Sequence, residues 1–174
     1  MARESRSSGP RESRSGQGLE DKVIKIRRCA AVVKGGRRFS FNALVVVGDR
    51  KGNVGWGYGK ANEVPPAVEK AVKEASRSLN KVSLEQFKGT TTIPHTIIGK
   101  FGATKVIMAP AGPGTGVKAG PGVREVLELA GVRDILTKVH GSSNALNLVK
   151  ATLDGLKKLR SKEQIRQFRG LVAS

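Results

Sequence analysis

The sequence predicts an α+β protein of two units, and three observations carry that prediction. Three β-rich runs joined by glycine-containing turns come first. A helix opened by Pro65-Pro66 follows them. Strand and helix patterns then alternate to the C-terminus. The expected order is β-β-β-α for residues 20–83, then β-β-α-β-α for 84–160.

Residues 1–18, MARESRSSGPRESRSGQG, are polar and carry four arginines. Residues 1–19 are accordingly expected to form a disordered basic arm. From Val23, VIKIRRCAAVV reads as a strand with cations spaced through it, and KGGRR (34–38) is a turn studded with charge. FSFNALVVVGD (39–49) is a second, β-branched strand, DRKGN a second turn, and VGWGYGKA (54–61) a third strand. In that strand Gly55, Gly57 and Gly59 share one face, and Trp56, Tyr58 and Lys60 the other. An all-glycine face lets another backbone lie very close. Val68, Ala71, Val72, Ala75, Leu79 and Val82 recur at helical spacing, which predicts a helix over 65–82.

In the second unit, TIPHTIIGKF (92–101) and TKVIMAPA (104–111) read as paired strands. A glycine-rich loop leads into a helix whose inward residues are Val123, Val126, Leu127 and Ala130, with Gly131 as its stop. VRDILTKVHG (132–141) is another strand, and 142–159 a helix opened by a serine or asparagine cap. Ser161 with Gln164 makes a capping box for a short helix within the tail, 161–174.

Charge bounds the function. The chain has 174 residues, 32 Lys+Arg against 14 Asp+Glu, and a net charge of +18. A surplus that large repels itself unless a polyanion neutralises it, and nucleic acid is the first candidate. No apolar run reaches the roughly 20 residues of a spanning helix. The N-terminal stretch lacks the apolar core of a secretory signal, and its Glu4 and Glu12 argue against a transit peptide. The single cysteine, Cys29, forms no internal disulfide and suits a reducing cytoplasm. One Cys and two His (His95, His140) are too few and scattered for zinc, so no metal or cofactor is expected.

The stretch APAGPGTGVKAGPG (109–122) has the layout of a phosphate loop, strand to glycine loop to helix. Such a loop needs G-x-x-x-x-G-K-[ST], so that amides wrap the phosphates, lysine reaches them and a hydroxyl holds magnesium. Five positions after Gly112 stands Val117, Lys118 follows a valine, and Ala119 stands where the hydroxyl belongs. GWGYGKAN (55–62) is G-x-G-x-G inside a strand and fails the dinucleotide pattern as well. No catalytic set survives, and the chain is read as no enzyme.

The cations point instead to structured RNA. Lys34, Arg37 and Arg38 sit at a hairpin tip where they can follow a sugar–phosphate backbone, and Arg27, Arg28, Arg50, Lys51 and Lys60 continue along the same meander. Trp56 or Tyr58 can stack on a base, though core packing against the helix is the favoured reading. The C-terminal cations Lys150, Lys157, Lys158, Arg160, Lys162, Arg166 and Arg169 read equally well as a solvated face or as phosphate contacts.

Three segments in this order, KGGRRFSF, GYGKA-x-EVP and GTG-x(7)-R-x-VLELAGV, closely resemble the bacterial-type S-five family of small ribosomal subunit proteins, over about residues 20–170. The resemblance implies a first domain like a double-stranded-RNA-binding fold without its leading helix, and a second α+β domain typical of the family. It implies binding to 16S-type rRNA, neighbours of the S-four and S-eight families, and a part in subunit assembly and decoding accuracy in the cytoplasm. By the same resemblance, Lys34, Gly35, Gly36, Arg37, Arg38 and Phe39 form an rRNA-binding loop near the subunit's neck. Gly114, Thr115, Gly116, Lys118 and Arg124 fall at a junction of rRNA and the S-four neighbour. This chain departs from the family at Ala31, often a lysine, at Gly112-Pro113, usually Ser-Glu, and at Lys118 and Pro121. The rival reading is a freestanding double-stranded-RNA-binding regulator.

Overall fold

The computed structural model describes residues 18–87 and 89–170; the basic arm expected over 1–19 falls almost wholly outside them, as do the last four residues. The first sheet is antiparallel, in the order β1 (Glu20–Val33), β2 (Gly36–Gly48), β3 (Asn53–Ala61), β4 (Asn80–Lys81). Helix α1 (Val64–Arg77) covers one face of it. The glycine face of β3 receives α1. A Cβ on Gly55, Gly57 or Gly59 would sit 2.4, 2.0 and 2.0 Å from the carbonyl oxygens of Ala75, Ala71 and Ala67. Glycine on the strand and alanine on the helix therefore bring two backbones into direct contact, and Ala43, Val45 and Val47 of β2 complete that layer.

The helix expected over 65–82 stops at Arg77. Ser78 sends its hydroxyl to the Trp56 carbonyl (2.9 Å), and the chain turns back into the sheet as β4. Val82, helical in spacing, is buried in the opposite core, and its N–H donates to Gly52 O at 2.7 Å. Tertiary burial overrides the periodicity there.

The second unit holds a small hairpin, β5 (Glu85–Phe87) and β6 (Thr90–Thr92), and a four-stranded sheet. Its order is β7 (Ile97–Phe101), β8 (Thr104–Pro110), β10 (Ile135–Gly141), β9 (Val117–Lys118), with β9 parallel to β10. The strand expected over 92–101 is thus two, because Pro94 has no N–H to give a ladder. Helices α2 (Pro121–Ala130), α3 (Ala145–Lys157) and α4 (Lys162–Phe168) complete the chain. The capping box of α4 is formed, with Gln164 N–H on Ser161 Oγ at 3.2 Å and Ser161 N–H on Gln164 Oε1 at 3.1 Å. The side-chain cap expected on α3 is not: Asn144 stands at the N-cap without a capping bond.

The two units share one core. Leu44, Val46 and Val54 of the first sheet pack with Val126, Leu127 and Leu129 of α2 and with residues of α3. A β-bulge at Ile24 turns that side chain into the same core. Lys22 of β1 adds ion pairs to Glu125 (2.8 Å) and Glu128 (2.6 Å) of α2, and these hold its ammonium above the usual lysine range, Glu125 first. The β2–β3 turn docks on the end of α2, where Arg50 N–H donates to Leu129 O (2.9 Å) and Gly52 N–H to Ala130 O (3.0 Å). Gly131, at φ 95°, ends α2 against Arg50, where a Cβ would lie 2.2 Å from a carbonyl oxygen.

Candidate nucleic-acid interface

Strand β3 pairs with β2 only from Phe41 onward, so residues 29–33 and 36–40 pair with each other and project beyond the sheet. Five residues a side make a free ribbon about 17 Å long. Lys34 and Gly35 form its two-residue tip, with Gly35 at φ 90°. Lys34, Arg37, Arg38 and Phe39 are all exposed there, and Arg27 and Arg28 are exposed at its base. The Arg28 guanidinium lies 4.2 Å from the centre of the Phe39 ring. Alternation then sorts the cations: Arg28 and Arg37 share a face with Phe39, while Arg27 and Arg38 share the other with Cys29, Ser40 and Asn42. Cys29 is engaged on that second face, its sulfur accepting from Asn42 Nδ2 at 2.9 Å.

The remaining sequence-predicted cations separate from the tip. Lys60 lies opposite Asn42 on the exposed part of the sheet. Arg50 and Lys51 occupy the β2–β3 turn, a 13-residue strand away from the tip, about 40 Å at the usual rise. Arg50 is also paired to Glu20 at 2.6 Å. The cations of the meander therefore fall into two regions, the ribbon with its base and the far turn.

The aromatic expectation needs correction. Trp56 does not pack on α1, because glycine occupies that face; it packs on the other side against the core shared with the second unit. The Lys150 ammonium stands 4.8 Å from its ring centre and 4.7 Å from that of Phe101. Lys150 is thus half-buried and held between two rings. Tyr58 stays 42% exposed and keeps a free flank for stacking.

The glycine loop encloses an anion supplied by the chain itself. Gly116 N–H donates to Asp134 Oδ1 at 2.7 Å and the Thr90 hydroxyl donates to Oδ2, while the backbone of Thr115 and Gly114 stabilises the carboxylate more weakly and Thr115 N–H is bonded to Gly112 O at 3.3 Å. These bonds, the Thr90 hydroxyl foremost, hold Asp134 below the usual carboxylate range. Thr92 Oγ1 donates to the Asp134 carbonyl at 2.7 Å, so the β5–β6 hairpin is fastened over the loop. A backbone amide and a hydroxyl meeting on an anion at a glycine turn use the same attraction as the amide nest of a phosphate loop. Here the place of the phosphate is taken. Asp134, central to the loop, went unread in the sequence because a lone Asp before a strand carries no pattern.

The loop's outer side brings the other predicted residues together. Lys118, exposed in β9, lies beside Leu136, and Arg124 reaches back from α2 to the Val117 carbonyl at 3.4 Å. The two histidines stay apart. His95 Nε2 accepts from Arg160 N–H (3.3 Å) and its Nδ1 faces Thr96 O (3.1 Å), a joint between the segment leading into β7 and the link from α3 to α4. Among the described residues no group of three or more His, Cys, Asp or Glu is placed to hold a metal. No described helix is long and apolar enough to cross a membrane.

Residues 19–83 match the family model "Ribosomal protein S5, N-terminal domain", and residues 99–169 match "Ribosomal protein S5, C-terminal domain". Three relatives carry the name small ribosomal subunit protein uS5. The one from Rhodopirellula baltica is 56% identical over 98% of this chain and 94% of its own. That from Rubrobacter xylanophilus is 50% identical over 97% of this chain and 82% of its own. That from Syntrophobacter fumaroxidans is 53% identical over 87% and 89%.

Proposed function

The chain belongs to the ribosomal protein S5 family, and from that premise we propose that it fastens small-subunit rRNA with the β1–β2 ribbon. A structural ribosomal role comes with the family, and the chain is not an enzyme. The finer reading is our own. The observation that carries it is the free ribbon, 29–40, with Lys34, Arg37 and Arg38 exposed on a paired two-stranded support. A narrow cationic ribbon can enter a groove or lie along a backbone, and arginine grips phosphate with two bonds.

We assign rRNA contact to Arg27, Arg28, Lys34 to Phe39 and Lys60, with Arg50 and Lys51 as a separate, weaker contact at the far turn. Residues 20–83 would act as the RNA-binding unit and 84–160 as the unit that meets neighbouring proteins of the S-four and S-eight families around Gly114–Gly116, Lys118 and Arg124. Support for decoding accuracy, in a cytoplasmic small subunit, follows from that placement. The test compares binding of the purified chain to naked small-subunit rRNA and to rRNA already carrying early-binding ribosomal proteins. Binding in either form that survives as subunit co-sedimentation at high salt supports the reading. Binding to neither, or a chain that washes off as a freestanding duplex-RNA binder does, refutes it.

A further inference from the structure

The second sheet is covered on one face by α3, and its other face is open. Gly99 lies so close to α3 that a Cβ would meet the Ala151 carbonyl oxygen at 2.0 Å, so that side is closed. On the open side the register places Ile98 beside Ile107 and Leu136 beside Ala109. Ile98 and Leu136 are 45% and 46% exposed, so the centre of this face is apolar and wet.

The next row across the same face is Lys100 opposite Lys105, and Lys105 opposite His140. Directly paired cross-strand side chains sit about 5 Å apart, and like charges there oppose folding. Nothing on the sheet offsets them: β7, β8, β9 and β10 contain no Asp or Glu. Lys138, beside Ile107, and Lys118, beside Leu136, extend the cationic border.

We propose that this face docks a second protein, one presenting apolar side chains to Ile98, Ile107 and Leu136 and carboxylates to the Lys100–Lys105–His140 row. The proposal rests on the reading that the chain is built into the small subunit, and names the surface for one neighbour there. An apolar centre inside a charged border is the anatomy of a protein–protein contact. A sheet that binds single-stranded RNA presents aromatic rings for stacking, and this face has none; a duplex is held by polar and cationic contacts, and the centre of this face is apolar. Phe101 is turned to the covered side with Lys150.

The test treats small subunits containing the chain with a zero-length reagent that joins amines to carboxylates, followed by peptide mapping. Lys100, Lys105 or Lys138 should be joined to Asp or Glu of another protein. Leu136→Glu should cut that yield about tenfold, as loss of a central interface residue does, while Leu136→Met keeps it. Both variants change a half-exposed surface position, so matched thermal unfolding of the free chains confirms that they fold. Cross-links from this face to nucleotides instead overturn the proposal, as does a Lys105 equally reactive toward an amine label in the particle and in the free chain. A chain absent from the particle refutes the ribosomal reading itself, and the docking face with it.

Discussion

Removing Arg37 and Arg38 together should change the salt dependence of rRNA binding by a calculable amount. The two arginines are adjacent on β2 and so lie on opposite faces of the ribbon, Arg37 with Phe39 and Arg38 with Ser40. A ribbon resting on RNA by one face would use only one of them. A ribbon seated in a groove has phosphates on both sides, and its cations then act independently. For the groove, each arginine contributes about −0.9 to the slope of log K against log salt. Raising salt from about 50 to 200 mM then costs each contact about 3.5-fold in affinity, and the pair about twelvefold. The R37A/R38A chain should lose about twelvefold less over that range than the parent, with each single variant contributing half on the logarithmic scale. Filter binding or fluorescence anisotropy at four or five salt concentrations reads the slope directly. If one single variant is silent, the ribbon lies on its face; if both are silent, the ribbon does not touch phosphate and the placement is wrong.

The other predictions concern how the scaffold holds that ribbon. Gly57→Ala puts a Cβ 2.0 Å from Ala71 O and 2.6 Å from Ala75 N, so α1 must lift by more than about 1 Å and give up a large share of its packing. That should cost about 3 kcal/mol and lower Tm by about 6–12 °C; a loss under about 0.5 kcal/mol in urea unfolding would mean the helix does not sit as described. Lys150→Met keeps the apolar stem but removes the charge between Trp56 and Phe101, for about 1–2 kcal/mol; the emission of Trp56, the only tryptophan, should shift, and an unchanged spectrum contradicts that placement. Asp134 is held below the ordinary carboxylate value of 3.8, first by the Thr90 hydroxyl and then by Gly116 N–H. Its contribution is therefore complete above the unfolded value and lost as pH falls through the lowered folded value. Asp134→Asn should destabilise at pH 7 and flatten stability against pH below about 4; a parallel profile would remove Asp134 from the acid response.

The sequence made most of the fold legible where one local rule acted alone. The alternate glycines of β3 announced a close backbone contact before its partner was known, and Ser161 with Gln164 announced a helix start. The failures share a cause, a second element reaching across the molecule. Val82 kept helical spacing but belongs to the core under α2. Trp56 faces away from its own helix because the second unit covers that side of the sheet. Lys150 looks like one more surface cation and is held between two rings from different units. The cations of the site were legible as residues, but their separation into a tip and a distant turn depends on the length of β2, and their sorting onto two faces depends on its register. The open face of the second sheet was not legible at all, since alternation shows which residues share a face and not which face is left uncovered.

The glycine loop shows how close a structural loop comes to a nucleotide cradle in physical terms. Both turn backbone N–H toward an anion, and both need residues small enough for the backbone to curl around it. The difference lies in where the anion comes from. A phosphate loop leaves the cradle open to a ligand and adds a lysine and a hydroxyl for it; this loop fills the cradle with Asp134, backed by Thr90. A carboxylate fixed by the fold binds at an effective concentration no free phosphate matches, so the amides are committed once the chain folds. What the loop offers outward is then its other side, Thr115 with Lys118 and Arg124, on a backbone made rigid by its own carboxylate. That rigidity is useful for seating a neighbour and of no use for turning over a nucleotide, which must leave. If so, Asp134→Asn should loosen the loop without creating nucleotide binding. Amide hydrogen exchange at Gly114 to Gly116 should speed up, and ATP or GTP at millimolar concentration should leave the rate unchanged. Protection restored by either nucleotide would show that the cradle accepts a phosphate after all.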